Sequence, residues 1–305
     1  MKKILRLGTR DSELALWQAT TVQKKLVALG QPCELVPVKS TGDLQLDTPL
    51  YELGITGIFT KTLDIALLRG EIDLAVHSMK DVPTKLPKNI VQAAVLERAN
   101  PLDVLVHKGL DFLNAEGVVA TGSLRRKAQW LNRYPLHDIE DLRGNVNTRL
   151  EKLQENSWDA AIFAAAGLLR INRMPENHTE LRWMLPAPAQ GAMMVVVRDG
   201  EDALLKLVHK LNHPQTALCT AIEREFLREL EGGCTAPIGA LAECQGDRIH
   251  FRGNLLALDG QKKLAVEKDM GLKEVSGLGT SCAREILENG GKTLMNQIKK
   301  ELDNS

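Results

Sequence analysis

Charge of one sign, aromatic rings, paired cysteines and long apolar runs are all scarce in this chain, and each scarcity removes a class of function. Lys and Arg together number 39 and Asp and Glu together number 39, so the 305 residues carry a formal net charge of zero. That balance removes the bulk electrostatics of a protein that coats DNA or lies on a membrane surface. Aromatic residues make up 4% of the chain, too few for the stacking platforms of a single-strand nucleic-acid binder. The five cysteines, Cys33, Cys219, Cys234, Cys244 and Cys282, are odd in number, widely spaced and nowhere in a C-x-x-C pair. This argues against a disulfide framework and against a metal site of the structural zinc type. The longest run of small and apolar residues, 160–169, is about half of the ~20 residues needed to span a bilayer. The start, MKKILR, is basic with no apolar core behind it, unlike a signal peptide. The expectation is a cytoplasmic protein with no metal and no nucleic-acid, membrane or obligate protein partner.

What is present is an ordinary globular mixture, 44% hydrophobic and 26% charged, long enough for two or three domains. Short apolar runs over 4–7, 33–38, 74–77, 91–96, 104–106, 118–121 and 160–163 read as strands. Amphipathic stretches over 13–29, 59–68, 123–133 and 147–156 read as helices between them. This alternation predicts α/β units with parallel sheets and helices on both faces. Past the punctuated connector LPAPAQG (185–191) comes a strand over 193–197. The remainder, a helix over 216–230, strands near 240–244, 248–254 and 264–269, and helices over 275–289 and 292–302, reads as a smaller α+β module. Residues 40–57 are long, glycine-bearing and weakly periodic, either a surface loop or a lid over a cleft.

Arginines recur just past the apolar runs, where α/β proteins place ligand-binding loops: Arg10, Arg125, Arg126, Arg143, Arg149 and Arg170. Between Thr121 and Arg149 six Lys/Arg face three Asp/Glu, a local excess that favours a small polyanionic ligand. Solvated helix faces account for Lys127 and Arg133 but poorly for the strand-end guanidinium groups, whose forks suit carboxylate or phosphate. In TGSLRR (121–126) a strand runs through glycine into a helix start, and the hydroxyls of Thr121 and Ser123 add donors there. The segment HSMKDVP (77–83) follows a strand. It is either a turn capped by Asp81 or a place where Lys80 binds a carboxylate while Asp81 handles a proton or a cationic N–H. His77 has no metal-spaced partner and reads as structural. In EGGCTAP (231–237) Cys234 lies in a tight loop between glycines and proline, open to use as a nucleophile or attachment point. The other four cysteines fall in strand or helix patterns, where inert packing is usual.

Together these segments closely resemble the porphobilinogen deaminase (hydroxymethylbilane synthase) family. The matching pieces are GTRDS (8–12), AVHSMKDVP (75–83), TGSLRR (121–126), LRGNVNTR (142–149), LPAPAQGA (185–192) and LEGGCTAPIG (230–239), in family order. The resemblance implies an enzyme that condenses four porphobilinogen molecules head to tail, with loss of ammonia, into hydroxymethylbilane for tetrapyrrole (heme) synthesis. It implies one dipyrromethane cofactor per chain, held by thioether to Cys234, with Asp81 as the catalytic carboxylate. Cofactor contacts carry over to Ser78, Lys80, Asp81, Thr121, Ser123, Arg125, Arg126, Arg143 and Gly144. Substrate contacts carry over to Arg10, Ser12, Arg143, Arg149, Arg170 and Gln190. The implied fold is α/β: two domains like periplasmic binding proteins, 1–95 with 191–210 and 98–187, flank a cleft. A smaller α+β domain, 213–305, carries the cysteine loop, and the family suggests a monomer.

Two positions depart from the family pattern. Thr56 stands where many members have lysine, leaving that charge to Lys61 or unfilled, and Glu13 replaces a common proline. The competing class is a solute-binding protein, two α/β lobes around an anion cleft without chemistry. The missing signal peptide and the glycine-flanked Cys234 speak against it.

Overall fold

The computed structural model describes residues 3–38, 60–230 and 236–303. The chain opens with β1 (Leu5–Thr9), α1 (Glu13–Ala28), β2 (Cys33–Pro37), α2 (Lys61–Leu68), β3 (Leu74–Ser78) and β4 (Ile90–Val95). Helix α1 starts where Ser12 caps it, accepting from the Ala15 N–H at 3.4 Å, with Glu13 in the first turn. Such a cap satisfies one of the N–H groups that a helix start leaves without a partner. Ala19, Val22 and Leu26, at spacings of three and four, bury one face of that helix on the sheet.

The chain then leaves this sheet for β5 (Asp103–His107), β6 (Val118–Ala120), α3 (Leu124–Arg133), β7 (Asp138–Glu140), α4 (Val146–Glu155), β8 (Ala160–Ala164), α5 (Ala165–Arg170) and β9 (His178–Glu180). It returns through β10 (Met193–Arg198) and α6 (Asp202–His209). The two five-stranded sheets have one topology, β2-β1-β3-β10-β4 and β7-β6-β8-β5-β9. Each has three parallel strands followed by a fourth strand running antiparallel to both its neighbours.

The expectation of parallel sheets is therefore corrected: both are mixed. The reason is the double crossing. Strand β10 arrives from the far lobe and slots between β3 and β4 in the opposite direction, and β5 plays the same part in the second sheet. Met193–Val197 are buried on both faces of their strand, as a central position requires. Where the two crossings pass, Leu96 N–H donates to Met193 O at 3.0 Å and Ala99 N–H to Gly191 O at 3.1 Å. Gly191 has φ +86°, and a Cβ there would lie 2.7 Å from Ala99 O, so the close approach requires glycine.

The third unit pairs α7 (Pro214–Glu229) with the meander β11 (Ile238–Gln245), β12 (Arg248–Leu256) and β13 (Lys263–Gly271), then α8 (Leu278–Ile286) and α9 (Lys292–Asp303). Its core, centred on Phe226 and Phe251, is separate from the cores on the two faces of each five-stranded sheet. Among the described residues no helix is long and apolar enough to cross a membrane.

Candidate active site

The cationic and hydroxyl residues singled out in the sequence gather at the carboxyl ends of the parallel strands, facing the crossing. Arg10 and Ser12 follow β1; Ser78 ends β3, and Lys80 and Asp81 lie in the single 3-10 turn Met79–Asp81 beyond it. From the second lobe, Thr121 to Arg126 follow β6, Arg143 to Arg149 follow β7, and Arg170 ends α5 behind β8. Open α/β sheets bind ligands at this edge because several loops and helix starts converge there.

Lys80 and Gln190 join the first lobe to the crossing, Nζ donating to Oε1 at 3.2 Å. Gln190 Nε2 in turn donates to Pro101 O at 2.8 Å and to Asp103 Oδ1 at 2.9 Å. Burial pulls Lys80 down to about 8; Asp81 works against that shift and Arg126 with it. The chain of contacts ends on two guanidinium groups. Arg125 Nη1 donates to Asp103 Oδ2 at 2.7 Å, and Arg126 donates to Oδ1 through Nε at 3.1 Å and Nη2 at 2.8 Å. Arg125 also reaches Leu185 O and Arg126 reaches Ile162 O. Both forks are thus engaged in part within their own lobe. Despite complete burial, the two arginines and Gln190 hold the Asp103 carboxyl well below its usual range.

Arg149 is less compensated. Its Nε donates to Gly144 O at 2.7 Å, and burial together with Arg126 and Arg143 lowers it to about 10, while Asp81 acts in the opposite sense. Gly144 sits at φ +112°, where a Cβ would press on Thr148 at 2.9 Å. Arg170 donates through Nη2 to Gly191 O at 2.7 Å, stands 5.5 Å from the Trp17 ring centre, and is lowered to about 10 by burial. The Nε atoms of Arg125 and Arg170 are buried without a hydrogen-bond partner among the described residues. The described cations in this group, Arg10, Lys80, Arg125, Arg126, Arg143, Arg149 and Arg170, outnumber the carboxylates Asp81 and Asp103. Such a set fits a group bearing several carboxylates, which would satisfy the spare donors and offset the mutual repulsion.

The hydroxyls of Thr121 and Ser123 serve the local backbone, and that of Ser78 a side chain of α1. Thr121 Oγ1 accepts from Ser123 N–H at 3.3 Å, Ser123 caps α3 by accepting from Arg126 N–H, and Ser78 Oγ accepts from Gln18 Nε2 at 2.8 Å. Their own protons can still be donated to an anion. His77 is buried and neutral, pushed to about 4 by burial and by Arg10, in line with a structural role. Glu13 has an account here: Oε2 accepts from Asn147 Nδ2 at 2.8 Å, joining α1 to α4 across the two lobes.

Cys234, Thr56 and the segment 40–57 lie outside the described residues. Burial raises the thiols of Cys33 and Cys282 to about 11, and burial with a contact to Cys244 raises Cys219 to about 12. Thiols with such values are poor nucleophiles. Cys219 and Cys282 are buried, whereas Cys33 and Cys244 are half-buried.

Sequence reading missed Gln18, Arg98, Asp103, Glu223 and Arg224. Glu223, fully buried on α7, pairs with Arg98 at 2.6 Å and accepts from Ala189 N–H and Ala242 N–H, tying the third unit to the crossing. A signal existed: these polar residues occupy apolar register, Gln18 on the buried stripe of α1, Asp103 at the head of a buried strand and Glu223 beside Ile222 and Phe226.

Comparison with known proteins gives one family over nearly the whole chain. The family model described as "Porphobilinogen deaminase, dipyromethane cofactor binding domain" matches residues 5–206, and "Porphobilinogen deaminase, C-terminal domain" matches residues 217–288. A relative from Syntrophomonas wolfei subsp. wolfei named porphobilinogen deaminase is 42% identical over 303 residues, 97% of this chain and 99% of that one. Relatives of the same name from Pelotomaculum thermopropionicum and Moorella thermoacetica are each 41% identical, covering 99% and 97% of this chain and the same shares of their own.

Proposed function

The chain belongs to the porphobilinogen deaminase family, and from that premise we infer how its own residues join four porphobilinogen molecules head to tail into hydroxymethylbilane with loss of ammonia. The observation that carries the reading is electrostatic: Lys80 and Asp81 of one lobe share a single field with Arg126, Arg143 and Arg149 of the other. Porphobilinogen brings an acetate and a propionate to every condensation, so each unit needs cationic partners in a water-poor cleft.

The dipyrromethane group, joined to Cys234 by a thioether, supplies the pyrrole end to which substrate units are added. Ser78, Lys80, Asp81, Thr121, Ser123, Arg125, Arg126, Arg143 and Gly144 are positioned to hold its carboxylates and ring N–H groups. Three observations support this: the unpartnered Nε of Arg125, the raised thiols of Cys33, Cys219 and Cys282, and the contact of Cys244 Sγ with Cys219 Sγ at 3.5 Å, which favour Cys234 for attachment. Arg10, Ser12, Arg143, Arg149, Arg170 and Gln190 receive the side-chain carboxylates of incoming substrate. Asp81 accepts the pyrrole N–H and stabilises the positive charge that develops as the aminomethyl group sheds ammonia, a task that requires an ionised carboxylate. Lys80 beside it binds an acetate or propionate in its charged form.

The same reading takes 1–95 with 191–210 and 98–187 as the cleft walls and 213–305 as the unit that presents the cysteine loop; the separate cores support it. It further places the chain in the cytoplasm, as a monomer with porphobilinogen as its small-molecule partner. The deciding experiment is the intact mass of the denatured protein beside Cys234→Ser. An adduct of two pyrrole units on the parent and none on the variant supports the assignment. Full turnover by the serine variant overturns it.

A further inference from the structure

The turn that carries Lys80 and Asp81 is short, and Met79 and Val82 anchor it in the core of its own lobe. At one end Met79 N–H donates to Ala192 O at 3.0 Å, and inside it Val82 N–H donates to Met79 O at 3.2 Å. Beyond it the chain reads Val82-Pro83-Thr84, where proline brings no N–H. Beside it a solvent-open pocket of about 300 Å³ runs along Met79, Thr84, Leu86, Gln92, Arg224 and Glu225. Core packing holds the buried side chains of Met79 and Val82, while the stretch past them borders this pocket.

What reaches it is a guanidinium group from the third unit. Arg224, buried on α7, donates through Nη1 to Val82 O at 2.8 Å and Met79 O at 3.3 Å, and through Nη2 to Pro83 O at 2.6 Å. One planar fork thus collects three carbonyls that bracket Lys80 and Asp81. One turn along the helix, Arg228 Nη2 takes only the neighbouring Thr84 O at 3.0 Å. Arg224 is followed ten residues later by Cys234 and is preceded by Glu223, which is bound to the crossing.

We propose that Arg224 is a positioning residue for the condensation: it sets the backbone of the Met79–Asp81 turn so that the Asp81 carboxylate stays aligned with the reacting ring. Three charge-assisted hydrogen bonds to one turn fix both its height and its rotation. The proposal rests on the assignment of Asp81 as the catalytic carboxylate.

The test uses the cofactor-loaded, full-length enzyme with Arg224→Gln, Arg224→Lys, Arg228→Gln and Asp81→Ala made in parallel. Misplacing a reacting group by about 1 Å can cost on the order of a hundredfold, so Arg224→Gln should lose roughly ten- to a hundredfold in kcat. Its KM should stay within about threefold and its intact mass should still show the adduct, because an interaction lost only in the transition state lowers kcat and not binding. Lysine, a single point donor, should restore part of kcat. Arg228→Gln, which removes one exposed bond of the same interface one turn away, should keep kcat within about twofold and lower the thermal midpoint less than Arg224→Gln.

Two results overturn the proposal: equal loss of kcat in Arg228→Gln and Arg224→Gln, or loss of adduct, KM and folding together in Arg224→Gln. Turnover by Arg224→Gln within about twofold of the parent, beside an inactive Asp81→Ala, overturns it and leaves Asp81 standing. Retained turnover in Asp81→Ala removes the assignment on which the proposal rests.

Discussion

Replacing Asp103 with asparagine keeps the shape of the residue and removes one charge from the most buried ion cluster of the described structure. Asp103 is fully buried, and the side chains it binds, Arg125 and Arg126, are 5% and 6% exposed. Removing one partner of such a cluster typically costs about 3–5 kcal/mol, because the remaining charges stay buried without compensation. For a chain of this size each kcal/mol moves the thermal midpoint by roughly 2 °C, so Asp103→Asn should melt on the order of 6–10 °C lower. Thermal unfolding by circular dichroism, repeated as a urea titration, reads this directly. The pH dependence supplies a second arm. The folded-state value of Asp103 is depressed, so its contribution is present above the unfolded carboxylate value near 3.9 and is lost as pH falls through the folded value. The gap between parent and variant should be widest at neutral pH and narrow below about pH 4. A variant melting within about 2 °C of the parent at pH 7 would refute the reasoning, since two buried guanidinium groups would then have lost their counter-charge at no cost.

Three further outcomes follow from the site. With Lys80 at about 8, its positive charge is lost as pH rises through that value, so the affinity of Cys234→Ser for a free dipyrromethane should fall several-fold between about pH 7 and 9; an affinity that stays flat counts against a carboxylate contact at Lys80. Arg143→Leu removes a cleft cation and should stall elongation, seen by mass as protein still bearing partly extended pyrrole chains; ordinary release of product argues against the clamp. Glu13→Ala deletes a solvent-exposed hydrogen bond between the lobes, worth about 0.5–1.5 kcal/mol, so a urea-derived loss of more than about 3 kcal/mol would mean that Glu13 does more than meet Asn147.

Most elements were legible because each carries its own local signal. Ser12 before an apolar stripe marked the start of α1, and the continuous run MVVV of β10 marked a strand buried on both faces. The strands β7 and β9 were not read, since Asp138–Glu140 and His178–Glu180 have three residues each and no buried alternation. Strand direction was misread for a deeper reason: the resemblance returned 191–210 to the first lobe, but nothing in 104–106 or 193–197 records which way the strand runs, and the pairing of β5 with β8 and of β10 with β3 reveals it. The site divided in the same way. Arg10, Arg125 and Arg126 were visible because a cation just past an apolar run has few structural uses. Asp103, Glu223 and Arg224 offered only the weaker signal of polar residues in apolar register, because their partners lie 22, 125 and 145 residues away in the chain and one-dimensional spacing carries no trace of such pairs.

The long-range pairs also explain how a cleft so rich in cations holds its shape before any anion enters. Arg125 and Arg126 next to Arg149 and Lys80 would repel one another strongly in a water-poor site; burial lowers Lys80, Arg149 and Arg170, and neighbouring cations add to it at Lys80 and Arg149. Asp103 offsets part of it at the inner end, where two of the guanidinium groups meet. The carboxylate count thus sits between two failures. With none, the second lobe would lose its inner ion cluster; with one for each arginine, no net positive field would remain for acetate and propionate. A binding anion then raises the depressed values toward their ordinary ones. Lys80, at about 8, is the group whose proton uptake falls in a measurable range, whereas the arginines near 10 stay charged throughout. Binding of a free dipyrromethane to Cys234→Ser between pH 7 and 9 should therefore take up a proton at Lys80. Isothermal titration calorimetry of that pair in two buffers of different ionisation enthalpy reads that uptake, and heats that do not change with buffer would show that Lys80 does not meet the cofactor's charge.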